Sequence, residues 1–145
     1  MRRGILAGAI SAAVWAAAEP ALGRVFRTPY SDVRLLGGLT GRRSRGGLAL
    51  HVVNGAVFGA VFERTGGRGV MRGVLAAEAE NLLLWPLMAV IDRVHPERRA
   101  GAWPPLFGNA RVFAYEATVH ALFGALLGSL VKPSETASRS RASAR

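Results

Sequence analysis

The sequence has no cysteine and few acidic residues. Without cysteine, the chain can form neither a disulfide nor a thiolate metal site. Its 9 Asp and Glu residues stand against 19 Lys and Arg residues, for a net charge of +10. A basic chain can neutralise nucleic-acid phosphates, but these arginines flank apolar segments and form no amphipathic recognition helix. That pattern is typical of a protein that meets anionic lipid headgroups, so we expect a lipid bilayer and no nucleic acid as partner.

The sequence also lacks runs that alternate between apolar and polar residues, and alanine is common. Both features argue against β-strands. Four apolar segments lie instead at about 4–22, 46–62, 73–91 and 112–131. Each is close to the roughly 20 residues that a helix needs to cross hydrocarbon. We therefore predict an all-α protein, an integral membrane four-helix bundle over residues 1–132. The Ser- and Arg-rich segment 133–145 is predicted to be a disordered basic tail.

An internal repeat is visible when the sequence is shifted by 69 residues, the separation of His51 and His120. Two runs then coincide with their counterparts: Arg3-Gly4 with Arg72-Gly73, and Gly55, Ala56 and Gly59 with Gly124, Ala125 and Gly128. The pattern predicts two parallel helix hairpins about a pseudo-twofold axis along the membrane normal. It also favours a retained first helix over the alternative, a signal peptide that ends at Ala16-Ala17-Ala18.

The connecting segments contain apolar residues of their own. Leu35, Leu36 and Leu39 predict a short interfacial helix in the first loop. In the third loop, Trp103 and Phe107 predict an anchor at the membrane interface. The segment His95-Pro96-Glu97 is expected to be a solvated connector.

Glycines recur at intervals of four residues in three of the segments. In a bilayer there is little hydrophobic drive between helices, so small residues that let two backbones approach provide much of the packing. The spacing therefore predicts closely packed helix pairs at Gly4, Gly8, Gly55, Gly59, Gly124 and Gly128.

Polar and ionisable residues interrupt the apolar segments. A charge at a helix centre costs roughly 2.5–3.5 kcal/mol on insertion scales, so such residues are expected to face a protein interior. His51 shares a helix face with Gly55, and Glu116 and His120 lie one turn apart on the face of Gly124. The predicted polar interior, which is also the candidate ion or proton site, comprises Glu19, His51, Asn54, Glu78, Glu80, Asn81, Glu116 and His120.

Two motifs resemble a known family. The first segment contains Gly4-Ile5-Leu6-Ala7-Gly8, Ser11-Ala12, Trp15, Glu19-Pro20 and then Arg27-Thr28-Pro29, and the last segment contains Glu116-x-x-x-His120. Together these resemble the YagU family of small bacterial inner-membrane proteins, although the first loop is shorter in this chain. The resemblance implies a multi-pass protein of the bacterial inner membrane. It implies no particular activity.

Three functions are compatible with this sequence. The polar residues can hydrogen-bond across helices in a structural or assembly component, either a homo-oligomer or a subunit of a membrane complex. Buried Glu and His can instead serve a proton- or ion-linked transporter or a pH sensor. A third alternative uses His51 and His120 as haem or metal ligands, although no short ligand motif supports it and we expect no cofactor. No nucleophile triad, phosphate loop or zinc pattern is present, so we expect no enzyme.

Overall fold

The computed structural model describes residues 2–41 and 44–131, and the chain is all-helical over that range, as predicted. The elements are α1 Arg2–Phe26, α2 Asp32–Leu39, α3 Ser44–Arg64, α4 Val70–Leu84, a 3₁₀ turn Trp85–Leu87, α5 Met88–Val94, α6 Pro96–Arg99 and α7 Ala110–Leu130.

Within the described ranges, four helices are long and apolar enough to cross a membrane, and they coincide with the four predicted segments. They run over Arg2–Phe26, Arg45–Arg64, Val70–Val94 and Ala110–Leu130. The predicted boundaries were a few residues short because the helices continue into the polar residues that flank each apolar run. The predicted tail at 133–145 lies outside the described residues.

The third of these helices is broken near its centre. Pro86 follows Trp85 in a 3₁₀ turn that separates α4 from α5. Proline has no N–H and its ring crowds the preceding turn, so the helix tightens locally and continues at Met88.

The helices pack as two hairpins that meet along one seam. In the first hairpin α1 packs on α3, in the second α4 packs on α7, and the hairpins join where α1 packs on α7. The two outer helices, α3 and α4, make no extensive contact with each other. The exact pseudo-twofold symmetry that two parallel repeats predict would require α4 to pack on α3 as α1 packs on α7. The duplication itself stays a prediction.

Glycine contacts join the helices within each hairpin. A Cβ on Gly8 would collide with the carbonyl oxygen of Gly55, and one on Gly4 with that of Gly59. In the second hairpin, Gly73 opposes Gly124 in the same way, and Gly69 opposes Gly128. Aligning the two sets of contacts matches α3 to α7 at an offset of 69 residues but α1 to α4 at 65. In the second hairpin, α4 is therefore shifted along α7 by about one helical turn from the position that the gapless repeat would give it.

The connections form a folded cap at one end of the bundle. The helix predicted in the first loop is α2, which packs on α3 and touches α6. Its Arg34 binds Glu97 through two hydrogen bonds of 3.1 and 2.6 Å, and the Arg34 guanidinium lies 5.5 Å from the centre of the Trp103 ring. The cap thus ties the first loop to the third.

His95 and Trp103 correct two sequence predictions. The segment containing His95 is not a solvated connector, because the His95 ring is fully buried, stacks on Trp103 at 4.5 Å and lies 3.2 Å from the Leu35 carbonyl oxygen. Trp103 is 2% exposed and is therefore not an interface anchor, whereas Phe107 is exposed. Gly38 leaves the space that the imidazole occupies, since a Cβ there would meet the ring.

Candidate functional site

A cavity of about 240 Å³ lies between the two hairpins. Its side walls are α3 and α4, its floor is formed by α1 and α7, and α2 covers the end next to the cap. It opens between α3 and α4 because those helices do not close on each other. The exposed residues Leu39, Asn54, Leu84 and Leu87 lie on its lining and mark the opening.

Glu19 receives the N-terminal end of α2. Its Oε1 accepts hydrogen bonds from the backbone N–H groups of Asp32, at 2.9 Å, and Val33, at 3.4 Å, while its Oε2 accepts one from the Ser31 hydroxyl. The first N–H groups of a helix have no partner within it, and a carboxylate there is favoured. Glu19 of α1 therefore fixes the position of α2, and with it that of Asp32.

Asp32 and Glu116 face each other beneath Glu19. Their carboxyl groups are within hydrogen-bonding reach of one another, and the Tyr30 hydroxyl donates to Asp32 Oδ1 at 2.9 Å. Neither Asp32 Oδ2 nor Glu116 Oε1 receives a hydrogen bond from the described part of the chain. A proton held between the two carboxyl groups would supply the missing donor. We call Glu19, Asp32 and Glu116 the acid cluster.

The acid cluster has no arginine or lysine partner in the described structure, and its one basic neighbour by distance is the His120 imidazole, 3.4 Å from Glu116 Oε2. Within the described ranges, no Arg or Lys side chain lies within ion-pairing distance of these three carboxyl groups. Burial, and then the neighbouring Glu19 carboxylate, raise the pKa of Asp32 to about 7. Burial and the nearby Asp32 and Glu116 also raise the pKa of Tyr30, so that its hydroxyl remains a donor. The site is thus arranged to hold protons or to receive a cation.

Two histidines and a tryptophan lie deeper along the cavity. Trp15 contacts His51 and His120 edge-on, with ring centres 4.9 and 4.6 Å apart. His120 Nδ1 lies 2.8 Å from the Glu116 carbonyl oxygen and 3.4 Å from Glu116 Oε2. Nδ1 therefore carries the proton, and Glu116 orients the imidazole ring. His51 Nε2 is buried and has no hydrogen-bond partner in the described structure.

Six of the eight residues predicted as the polar interior line the cavity, namely His51, Asn54, Glu80, Asn81, Glu116 and His120. Glu19 is connected to it through Asp32 and Glu78 through Asn81. Glu19, His51, Asn81, Glu116 and His120 are buried; Glu78 and Glu80 are half-buried, and Asn81 Nδ2 donates to Glu78 Oε2 at 3.4 Å. Asn54 is exposed at the rim of the cavity, because α4 does not cover that side of α3.

The sequence prediction missed Tyr30, Ser31 and Asp32. They precede or begin a short helix outside the apolar segments, where a polar residue has no evident cost. One local signal is present, since Ser31 is a typical N-cap and its Oγ accepts from the Arg34 N–H. That signal predicts the start of a helix, but it does not predict that the helix folds back over α1 and α7.

The acid cluster, Trp15 and the two cavity histidines occupy the half of the bundle next to the cap. Counting 1.5 Å per residue from the cap end, Glu19, His51 and Glu116 lie about 10 Å along their helices, and Trp15 and His120 lie about 15 Å along theirs. Beyond them the seam is closed by Phe58 against Phe123 and by the glycine contacts. These groups form a pocket that ends near the middle of the bundle, whereas Glu78 and Glu80 of α4 lie about 20–25 Å from the cap end by the same count.

Over residues 2–41 and 44–131, no group of three or more His, Asp or Glu side chains is arranged to hold a metal ion. His51 and His120, the candidate haem or metal ligands, both pack against Trp15. No protein-family model, curated protein or solved structure significantly matches this chain.

Proposed function

We propose that this chain is a multi-pass protein of the bacterial inner membrane and a relative of the YagU family. The four apolar helices support the membrane assignment. The family resemblance is supported by position, since the motif residues Trp15, Glu19, Glu116 and His120 all belong to one site. Cell fractionation tests the location: the protein should remain with the inner membrane after carbonate washing, and its release into the supernatant would refute the assignment.

The geometry best supports a proton-linked function for the acid cluster, as a pH sensor or as the proton site of a transporter. The observation that carries this proposal is the Asp32–Glu116 carboxyl pair, buried at the head of a cavity without an arginine or lysine partner in the described structure. Protonation neutralises the pair, whereas loss of the proton leaves repelling charges between α2 and α7. The two states therefore favour different distances between α2 and α7.

The closed half of the bundle bears on the mode of action. An open ion channel would need a continuous polar path along the seam, whereas Phe58 packs against Phe123 beyond the two histidines. A sensor needs no such path. The proposal is therefore a protein that changes conformation on protonation. Transport would require, in addition, that the hairpins move at the α1–α7 seam.

Proton binding tests the proposal without any ligand. Purified protein in detergent should take up protons between pH 8 and pH 5 with a change in Trp15 fluorescence, and Asp32→Asn and Glu116→Gln should each reduce both signals. Glu97→Gln in the cap is the matched control. Equal uptake in all four proteins would refute the proposal. Proton flux in proteoliposomes that both site variants abolish would distinguish a transporter from a sensor.

A second candidate function is that of an assembly component, and the bare face of the α4 region supports it. The region Val70–Val94 is the least covered of the four candidate spans, and it exposes Met71, Leu75, Leu82, Leu83 and Leu87. Cross-linking in native membranes tests this function. A defined partner or oligomer captured through cysteines placed on this face would support it, and capture of lipid alone would not.

A further inference from the structure

We propose that the cavity binds a lipophilic organic cation, a single charged nitrogen carried on aromatic or alkyl groups, which enters from the lipid between α3 and α4. This inference rests on the proton-linked function proposed above and names its ligand class. Charge, wall chemistry, size and access each support it.

The charge of the site calls for a cation. Asp32 and Glu116 are 8% and 1% exposed, line the cavity, and each has one carboxyl oxygen without a donor. With no Arg or Lys in ion-pairing range, and with His120 as the one basic neighbour by distance, the deprotonated pair lacks a permanent counter-charge in the described structure. A buried anion that lacks a partner is strongly disfavoured, so a cation bound there would have a large electrostatic advantage over a neutral molecule.

The walls select an organic cation over a metal ion. Trp15, Trp85, Phe58 and Phe123 line the cavity, and aromatic rings attract an organic cation through their faces. Leu35, Leu36, Met88 and Ile91 supply apolar surface between these rings. A metal ion needs several converging oxygen or nitrogen ligands, and the described residues provide no such group.

Size and access set the dimensions of the ligand. A cavity of about 150 Å³ accepts benzene, so the 240 Å³ here holds a ring larger than benzene, with further groups projecting outward. The opening lies between two helices of the bundle rather than at its ends, and three of its four rim residues, Leu39, Leu84 and Leu87, are apolar, the fourth being Asn54. A ligand dissolved in hydrocarbon reaches such an opening directly.

Proton exchange links the ligand to the proposed function. A bound cation replaces the proton of the Asp32–Glu116 pair, so one proton leaves the protein for each cation that enters. Other titratable groups adjoin the pair or share the cavity with it, and their charges modulate the exchange: Glu19 from α1, Tyr30 before α2, His51 from α3, Glu80 from α4, and Tyr115 and His120 from α7.

The test uses two molecules of the same shape that differ in charge. The full chain in mild detergent is dialysed against 1-methyl-4-phenylpyridinium and, separately, against the neutral isostere 4-methylbiphenyl. We expect saturable binding of the cation at least tenfold tighter than that of the neutral molecule, and about tenfold tighter at pH 8 than at pH 6. In weak buffer near pH 7, cation binding should release about one proton.

Variants separate the contributions of charge and shape. Asp32→Asn and Glu116→Gln should each weaken cation binding at least tenfold, remove proton release and leave the binding of methylbiphenyl unchanged; Trp15→Leu should weaken cation binding several-fold. Glu97→Gln is the control. Equal affinity for cation and isostere, or cation binding that survives both acid substitutions in folded protein, would overturn the inference. If ligand-free proton uptake persists without cation binding, the ligand class is wrong and the proton-linked function stands.

Discussion

Replacing Asp32 by asparagine should stabilise the protein at neutral and higher pH. Asparagine keeps the size of the side chain and can still accept the Tyr30 hydrogen bond, but it cannot ionise. The pKa of Asp32 is about 7 in the folded protein, against 3.8 for an unperturbed aspartate, a difference of about 3 units. At about 1.36 kcal/mol per unit, ionisation of Asp32 costs the folded state about 4 kcal/mol.

The direction of the pH dependence follows from this raised pKa. Below pH 4 the aspartate is protonated in both the folded and the unfolded state, and its ionisation costs nothing. Between about pH 4 and pH 7 the unfolded state releases the proton first, so the free energy of unfolding falls as the pH rises. Above pH 7 the cost is constant. The advantage of Asp32→Asn should therefore grow from near zero at pH 4 to about 4 kcal/mol at pH 8.

Unfolding by sodium dodecyl sulfate in mild detergent micelles, followed by tryptophan fluorescence, measures this difference. Because Glu19 and Glu116 titrate in both proteins, the relevant quantity is the difference between the wild-type and variant curves at each pH. Glu97→Gln, which removes an acid from the cap, should give a difference from wild type that does not grow between pH 4 and pH 8. If the free energies of unfolding of wild type and Asp32→Asn changed with pH in parallel, the placement of Asp32 in a buried site without an arginine or lysine partner would be refuted.

Three further predictions concern the contacts that hold the hairpins and the cap together. Gly8→Leu should separate the first hairpin, because its Cβ would meet the Gly55 carbonyl, and the melting temperature in detergent should fall sharply. Gly38→Val should displace His95 from its stacked position, and acrylamide should then quench cap fluorescence more strongly. Asp92→Asn should lower the free energy of unfolding by about 2–3 kcal/mol, since this carboxylate binds an arginine and two backbone N–H groups of the third loop.

The helices were predictable because local sequence determines them. Largely apolar segments of about membrane length leave few alternatives to a helix. Accordingly, α1, α3 and α7 extend only two to four residues beyond most of their predicted ends. The close contact at Gly8 and Gly55 also agrees with the glycine spacing. Predicting these features requires only the residue composition and the spacing of the glycines.

The site was only partly predictable because it depends on contacts between distant segments. Glu19, Glu116 and His120 are conspicuous, since a polar residue in an apolar run signals burial. Asp32 and His95 lie in polar segments, and their burial follows only from the way α2 folds back and from the docking of the third loop. That α1 and α7 form the central pair of helices is likewise not predictable from the sequence of either helix alone.

The two-hairpin arrangement has a consequence for biosynthesis. Because α3 makes no extensive contact with α4, the first hairpin of the proposed membrane protein can complete its main packing before the second is inserted. Glu116 belongs to the last long helix and closes the acid cluster only when α7 docks on α1. Until then Glu19 and Asp32 face the space that α7 will occupy. An unassembled intermediate therefore displays polar side chains that the finished protein conceals, a difference that membrane quality-control proteases are able to recognise.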